Sequence, residues 1–189
     1  MSLVELIAEA DELGLTVSGL ACLDRCVSLL GGDDEILRPL WTSLADGSDA
    51  EEWASRLEQA RVKLGPADAA DAADEGETVL LARRMLAAAP GTRSAADVRE
   101  WADDCSVAAL RIHELLDASA GGPSSVDAHR EGRTEGISPL VAAELRRQIT
   151  VLELLAANGS GGLRQALAVS TEGRRVLRAV VSRRARGRA

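Results

Sequence analysis

Phe and Tyr, two of the three large aromatic residue types, are missing from this 189-residue sequence. The large aromatic side chains are limited to Trp41, Trp53 and Trp101. Proteins that recognise RNA loops, single-stranded nucleic acid or sugars usually stack the ligand on aromatic side chains. The composition therefore argues against these classes, although it leaves contacts to phosphate groups open.

Segments that alternate β-branched and polar residues, the usual sign of a half-buried strand, are also scarce. Ala and Leu supply most of the 46% hydrophobic content, and both residues favour helices. Apolar residues recur at spacings of three and four through most of the chain. These patterns predict an all-α fold: an antiparallel helical bundle of about six helices with a linked basic C-terminal helical segment.

Sequence signatures of catalysis and cofactor binding are missing as well. The chain contains no P-loop, dinucleotide fingerprint, nucleophile elbow or HExxH zinc motif. We therefore expect a protein that is not an enzyme and that binds no cofactor and no metal. His113 is a candidate base, but Asp103 and Asp104 lie nearly three turns away. Its place near a helix end favours a simple dipole interaction instead, and we expect His129 to be exposed.

The three cysteines are an odd number and give no disulfide framework. No secretion signal is recognisable and no apolar run approaches the roughly 20 residues that span a bilayer, so we expect a cytoplasmic protein without membrane contact. Cys22 and Cys26 share a helix face, and with Cys105 and His113 they could form a zinc site. Because the cysteines lie within apolar stripes, we interpret them as small buried hydrophobic residues.

The longest helical pattern runs from Ser94 to Ser119. Ser94 can accept hydrogen bonds from the first amides of this helix, and Asp97 places negative charge at the positive end of its dipole. We predict that the N-terminal bundle packs around this helix. Its apolar face consists of Val98, Trp101, Ala102, Cys105, Ala108, Ala109, Ile112, Leu115 and Leu116.

Charge and composition divide the chain into three regions. Residues 1–76 carry 17 acids and 5 bases, whereas residues 77–189 carry 13 acids and 17 bases. We expect the basic tail to meet either an anionic partner or the chain's own acidic half. The run of Ala and Asp at 67–75 predicts an exposed connector. The predicted regions are an acidic bundle (1–119), a flexible linker (120–137) and a basic C-terminal segment (138–189).

Helix boundaries follow from the apolar periodicity and from Gly, Pro and capping residues. Gly14 is expected to end the first helix, and Pro39 predicts a kink or a late start in the third. Ser138 and Pro139 are expected to cap and open the helix after the linker. The predicted helices span about 2–13, 15–30, 33–44, 48–64, 77–89, 94–119, 138–157, 163–169 and 171–184.

The stretch from Leu163 to Val180 resembles a helix-turn-helix, a motif of DNA-binding proteins. Ala-Leu-Ala-Val-Ser at 166–170 stands where that motif has its turn, and the resemblance implies that Ser170 caps a recognition helix. Arg164 and Ala168 depart from the small residue and the glycine that the motif carries at these places. The possible contacts to nucleic acid or to another anionic partner are Ser170, Arg174, Arg175, Arg178, Arg183 and Arg184.

Together these features predict a non-catalytic interaction or regulatory module that binds a protein partner or a second copy of itself. The alternative is a DNA-binding regulator that uses the degenerate helix-turn-helix at 163–180. A third hypothesis is a helical enzyme or a bundle that binds a small ligand.

Overall fold

The computed structural model describes residues 1–65, 76–117 and 125–187, and these residues form helices with no strand among them. The predicted all-α fold is confirmed. The predicted connector at 67–75 lies outside the described residues. In chain order the helices are α1 (Leu3–Glu9), α2 (Glu12–Cys26), α3 (Arg38–Ala45), α4 (Ala50–Leu64), α5 (Glu77–Ala88), α6 (Ala95–Leu116), α7 (Val126–Arg130), α8 (Pro139–Asn158) and α9 (Leu163–Arg186), with 3₁₀ turns at Val27–Leu30 and Gly159–Gly162.

Helix α2 lies at the centre of the fold. Thirteen of its fifteen residues are buried, because α6, α8 and α9 all pack against it. Gly19 permits the closest approach, since a Cβ at this position would lie 2.6 Å from Cε3 of Trp101. The helix predicted to be central, α6, does pack on α2, but only eleven of its 22 residues are buried. The other helices are therefore arranged around α2 more than around α6.

The side chains of capping residues determine where most of the helices begin. The hydroxyl of Ser94 accepts a hydrogen bond from the amide of Asp97, as expected. The predicted end of the first helix is wrong, because α1 already ends at Glu9. Asp11 begins a new helix there, and its carboxylate accepts from the amide of Gly14 at 2.7 Å. Pro39 lies in the first turn of α3, so the late start is confirmed.

Within the described residues one stretch, Glu12–Leu30, is long and apolar enough to cross a membrane, with a mean hydropathy of 1.5. The sequence analysis missed it because Asp24 and Arg25 interrupt the apolar run. In the structure 83% of this stretch is buried inside the protein, and both charges are paired with other helices. This is the environment of a core helix in a bundle.

The predicted linker contains ordered structure in its described part, 125–137. It forms α7, and His129 is buried there instead of exposed. The imidazole Nδ1 of His129 lies 2.7 Å from the carbonyl oxygen of Arg133, which holds the ring against the protein. Residues 120–124 of the predicted linker lie outside the described residues.

The two C-terminal helices complete the core that begins with α2. Both pack on α2, and several of their buried apolar residues belong to the same cluster as those of α2. These residues are Val151 and Leu155 of α8 and Leu163, Ala166 and Leu177 of α9.

The predicted pair of short helices after residue 163 is wrong, because α9 is a single helix of 24 residues. Nothing between Ala166 and Thr171 interrupts it, since this stretch contains no Gly and no Pro. The hydroxyl of Ser170 does not cap a helix. It donates to the carbonyl oxygen of Ala21 on α2 and so points into the core. The helix-turn-helix is therefore absent.

Candidate interaction surface

The six arginine and serine positions predicted as contacts are divided by the structure into buried and exposed groups. Ser170 and Arg174 are buried. Arg178 is about half exposed and bonded to an acid of the same chain. Arg175, Arg183 and Arg184 are exposed. The predicted set therefore includes residues of two different environments, a buried polar cluster and the outer end of α9.

The buried cluster is organised by an ion pair between α2 and α8. Arg25 and Glu144 are both fully buried, and the guanidinium donates to the carboxylate through Nε at 2.9 Å and Nη2 at 2.6 Å. Nη1 of Arg25 also donates to the hydroxyl of Ser170 at 3.3 Å. Burial alone would lower the pKa of Arg25, but Glu144 raises it. We call these residues, together with His113, Asp24 and Arg174, the polar seam.

His113 lies in the last turn of α6, near the helix end as expected, but its side chain is fully buried inside the polar seam. Its Nδ1 is 2.7 Å from the carbonyl oxygen of Ala109, and its Nε2 is 3.5 Å from Glu144. Burial lowers the pKa of His113, although the charge of Glu144 acts in the opposite direction. Gln148 donates to the same carboxylate at 3.0 Å. His113 is therefore a neutral core residue in a hydrogen-bonded network.

The seam continues to α9 through acids from the N-terminal half of the chain. Arg174 donates to Asp24 at 2.6 Å and to Asp34 at 3.1 Å. Arg178 donates to Asp34 at 2.6 Å. Burial raises the pKa of Asp24 to about 6, although Arg174 opposes this change. The sequence left open whether these arginines bind an external anionic partner or the chain's own acidic half. Arg174 and Arg178 bind acids of the chain itself.

All three cysteines are free and buried. Burial raises the pKa of Cys22 to about 12 and raises those of Cys26 and Cys105 well above the ordinary value. Nη2 of Arg25 lies 3.4 Å from the sulfur of Cys22. Among the described residues no group of His, Cys, Asp or Glu has an arrangement that could hold a metal ion. These thiols are therefore protonated core side chains with low reactivity.

An open apolar groove of about 590 Å³ lies beside the outer end of α9. Three helices form it: the end of α6, the start of α8 and the second half of α9. We call it the α8–α9 groove. Its apolar lining residues are Leu116, Pro139, Leu140, Ala143, Val176 and Val180, and its charged lining residues are Asp117, Arg183 and Arg184.

The groove keeps its shape because its charged rim is bonded to the helix ends. Asp117, the residue after α6, accepts a hydrogen bond from the amide of Leu140 at 3.0 Å. It therefore caps α8 in place of Ser138, whose hydroxyl is buried and makes no cap bond. Arg184 donates to the carbonyl oxygen of Leu115 in the last turn of α6, close to Asp117. Both contacts fix α6 relative to its two neighbours.

A second groove of about 490 Å³ lies next to the first, beside the same helix end, and shares Leu116 and Arg184 with it. Its lining also includes Leu29, Val181 and the acid Glu77. Of these two grooves, the α8–α9 groove has both Arg183 and Arg184 in its lining, and Asp117 is its single lining acid.

The groove could not be predicted from the sequence, because its floor is formed by three helices that are distant in sequence. Leu116 and Leu140 were assigned correctly to apolar helix faces, but periodicity does not show which part of a face remains uncovered. The arginines beside the groove were the feature of the sequence that pointed to this part of the surface. The chain matches no protein-family model, no curated protein and no solved structure, so its function has to be inferred from its own surface and core.

Proposed function

We propose that this chain is a non-catalytic interaction module that binds a protein partner through the α8–α9 groove. The observation that carries the proposal is the combination of an open apolar floor with Arg183 and Arg184 at its edge. Grooves of this kind, with an apolar centre and a polar rim, are typical of protein-binding surfaces.

The environment of the titratable residues favours this function over an enzyme. The imidazole of His113 and the carboxylate of Glu144 are fully buried, and neither residue lines any of the surface grooves described above. A catalytic base needs contact with its substrate. The fully buried network is better explained as a device that fixes α8 and α9 on α2.

DNA binding is the weaker proposal, because α9 runs without a turn through the stretch that resembled a helix-turn-helix. Arg174 and Arg178 are also bonded to Asp24 and Asp34. We further propose a cytoplasmic location, which the three free cysteines support, because such thiols persist in reducing compartments.

Photo-crosslinking from the groove tests the proposed function. A photoreactive amino acid at Ala143 of the full chain is expected to capture a defined protein from an extract of the source cells. The same amino acid at Val62, which is 76% exposed and far along the chain on α4, controls for adhesion to any exposed apolar site.

A second substitution ties the capture to the groove. Val180→Asp places a charge on the groove floor and is expected to abolish capture from Ala143, while circular dichroism shows an unchanged helix content. Equal capture from positions 143 and 62, or capture that survives Val180→Asp, would show that the groove is not the binding surface.

A further inference from the structure

We infer that the partner segment bound by the α8–α9 groove is an acidic amphipathic helix. Its apolar face would lie on the groove floor, and its carboxylates would pair with Arg183 and Arg184. This inference rests on the proposed function, and it adds the chemical class of the partner.

The lining of the groove selects a helix over other peptide conformations. A partner strand needs an exposed sheet edge to pair with, and the described residues contain no strand. A polyproline segment is usually held between aromatic side chains, and none lines the groove. A helix satisfies its own backbone hydrogen bonds and needs from the surface only an apolar floor and a matching rim.

The charges at the rim select an acidic partner. Arg183 makes no ion pair with any described residue, and Arg184 uses one nitrogen on Leu115 and keeps further donors for a ligand. The only acid in the lining, Asp117, is engaged with the amide of Leu140. The positive end of the α8 dipole lies at the same groove, because Pro139 in its first turn is a lining residue. A carboxylate of the partner therefore meets its most favourable potential at Arg183 and Arg184, away from Asp117.

The length of the groove sets the length of the contact. The part of α9 from Val176 to Arg184 advances about 12 Å at ~1.5 Å per residue. This is room for about two turns of a docked helix, with apolar anchors at positions i, i+3 or i+4, and i+7. The partner segment is therefore expected to carry two or three large aliphatic residues on one face and Asp or Glu beside them.

A synthetic helix serves as the probe. It is a 16-residue stapled peptide with Leu at positions spaced by three and four and Glu at the remaining exposed positions, and its binding to the full chain is followed by fluorescence anisotropy. We expect binding at low salt that weakens as salt screens the rim charges. A peptide of the same pattern with Lys in place of Glu is expected not to bind.

Two charge reversals on α9 locate the contact. Arg183→Glu is expected to weaken binding of the acidic helix about three- to tenfold, because a favourable rim contact becomes a repulsive one. Arg164→Glu changes the net charge by the same amount on an exposed residue of the first turn of α9, and its effect is expected to be less than about twofold. Val180→Asp is expected to abolish binding.

The results separate this inference from the proposed function. Equal binding of the acidic and basic helices, or equal binding by the Arg183→Glu and Arg164→Glu variants, would overturn the acidic partner. The proposed function would survive that result if crosslinking from Ala143 still depended on Val180. Displacement of the peptide by duplex DNA would assign the arginines to nucleic acid. A dimer seen by sedimentation and lost in Val180→Asp would make a second copy the occupant. Either finding would overturn the inference.

Discussion

The first and second halves of α9 use their arginines in different ways. In the first half, Arg174 is 3% exposed and bonded to Asp24 on α2, and Ser170 is bonded to the backbone of the same helix. In the second half, Arg183 and Arg184 lie at the surface beside an open apolar groove. Arg174 and Ser170 therefore hold the fold together, whereas Arg183 and Arg184 near the end of the helix are available to a partner.

The difference shows that an arginine of α9 has a structural role where an acid of the same chain lies opposite it, and is free to bind a partner where none does. Asp24 and Asp34 lie 150 and 140 positions away from Arg174 in sequence, so a local reading of α9 cannot distinguish a structural arginine from a binding one. In a helix with six arginines after position 173, only the packing of the other helices around it makes the distinction.

The largest expected effect comes from removing the cation at the centre of the polar seam. Arg25→Met leaves the carboxylate of Glu144 buried without its main partner, which is expected to lower the free energy of unfolding by about 3–5 kcal/mol. The double variant Arg25→Met/Glu144→Leu is expected to recover most of that loss. Urea unfolding followed by circular dichroism measures both. A loss below about 1 kcal/mol in the single variant would contradict the structural role of the seam.

The same substitution in each half of α9 tests the comparison directly. Arg174→Gln is expected to destabilise the protein by about 2–3 kcal/mol, less than the change at Arg25, because Asp24 can take up a proton when it loses its partner. Arg183→Gln is expected to change stability by less than about 0.5 kcal/mol. Thermal or urea unfolding of the two variants side by side gives the result, and equal losses would remove the distinction between the halves.

A smaller effect is expected where α9 touches Arg25. A Cβ at Gly173 would overlap Cδ of Arg25 and lie 2.9 Å from Cδ of Arg147. Because Arg25 is held by Glu144 and cannot easily move aside, Gly173→Ala is expected to cost about 1–2 kcal/mol despite the better helix propensity of Ala. Gly187→Ala, at the exposed end of the helix, is the matched control and should be neutral. Urea unfolding that ranks the two variants equally would contradict this close packing.

The smallest effect is a change in the pH dependence of stability. Burial lowers the pKa of His113 below its ordinary value of 6.5, so the unfolded chain takes up this proton first, and stability present above that pH is lost on acidification. His113→Leu is expected to reduce the loss between pH 7.5 and 5.5. Asp24, with a raised pKa of about 6, acts in the opposite direction in both proteins, so the difference between them isolates His113. Identical pH profiles from urea unfolding would contradict it.

Local sequence signals predicted the helical fold and much of the core. Ser94 caps α6 as expected, and Trp101, Cys105 and Ile112 are buried as their spacing indicated. The boundary at Gly14 failed because Asp11 offers a stronger helix start than Gly14 offers a helix end. Capping residues and apolar spacing depend on residues within about one helical turn of each other, so they can be read from the sequence and predict helices well.

Features that depend on distant residues could not be predicted. Asp24 and Arg25 are charged residues in an apolar helix, and no local pattern shows that Arg174 and Glu144 neutralise them from more than a hundred residues away. The helix-end position of His113 was predicted, but its burial was not, because the covering residues come from α2 and α8. The position of the groove likewise depends on how three helices end at one place.

The arrangement of α2 also has a consequence for synthesis. This helix is synthesised well before its partners on α9, which lie about 150 residues later, as the bond between Ala21 and Ser170 shows. At roughly 5–20 residues per second, about 7 to 30 seconds pass before α9 is available to cover α2. During that interval the part of α2 that α9 will cover is exposed to solvent and to other nascent chains. Production of the protein is therefore expected to depend on chaperones that bind α2 until α9 has been synthesised.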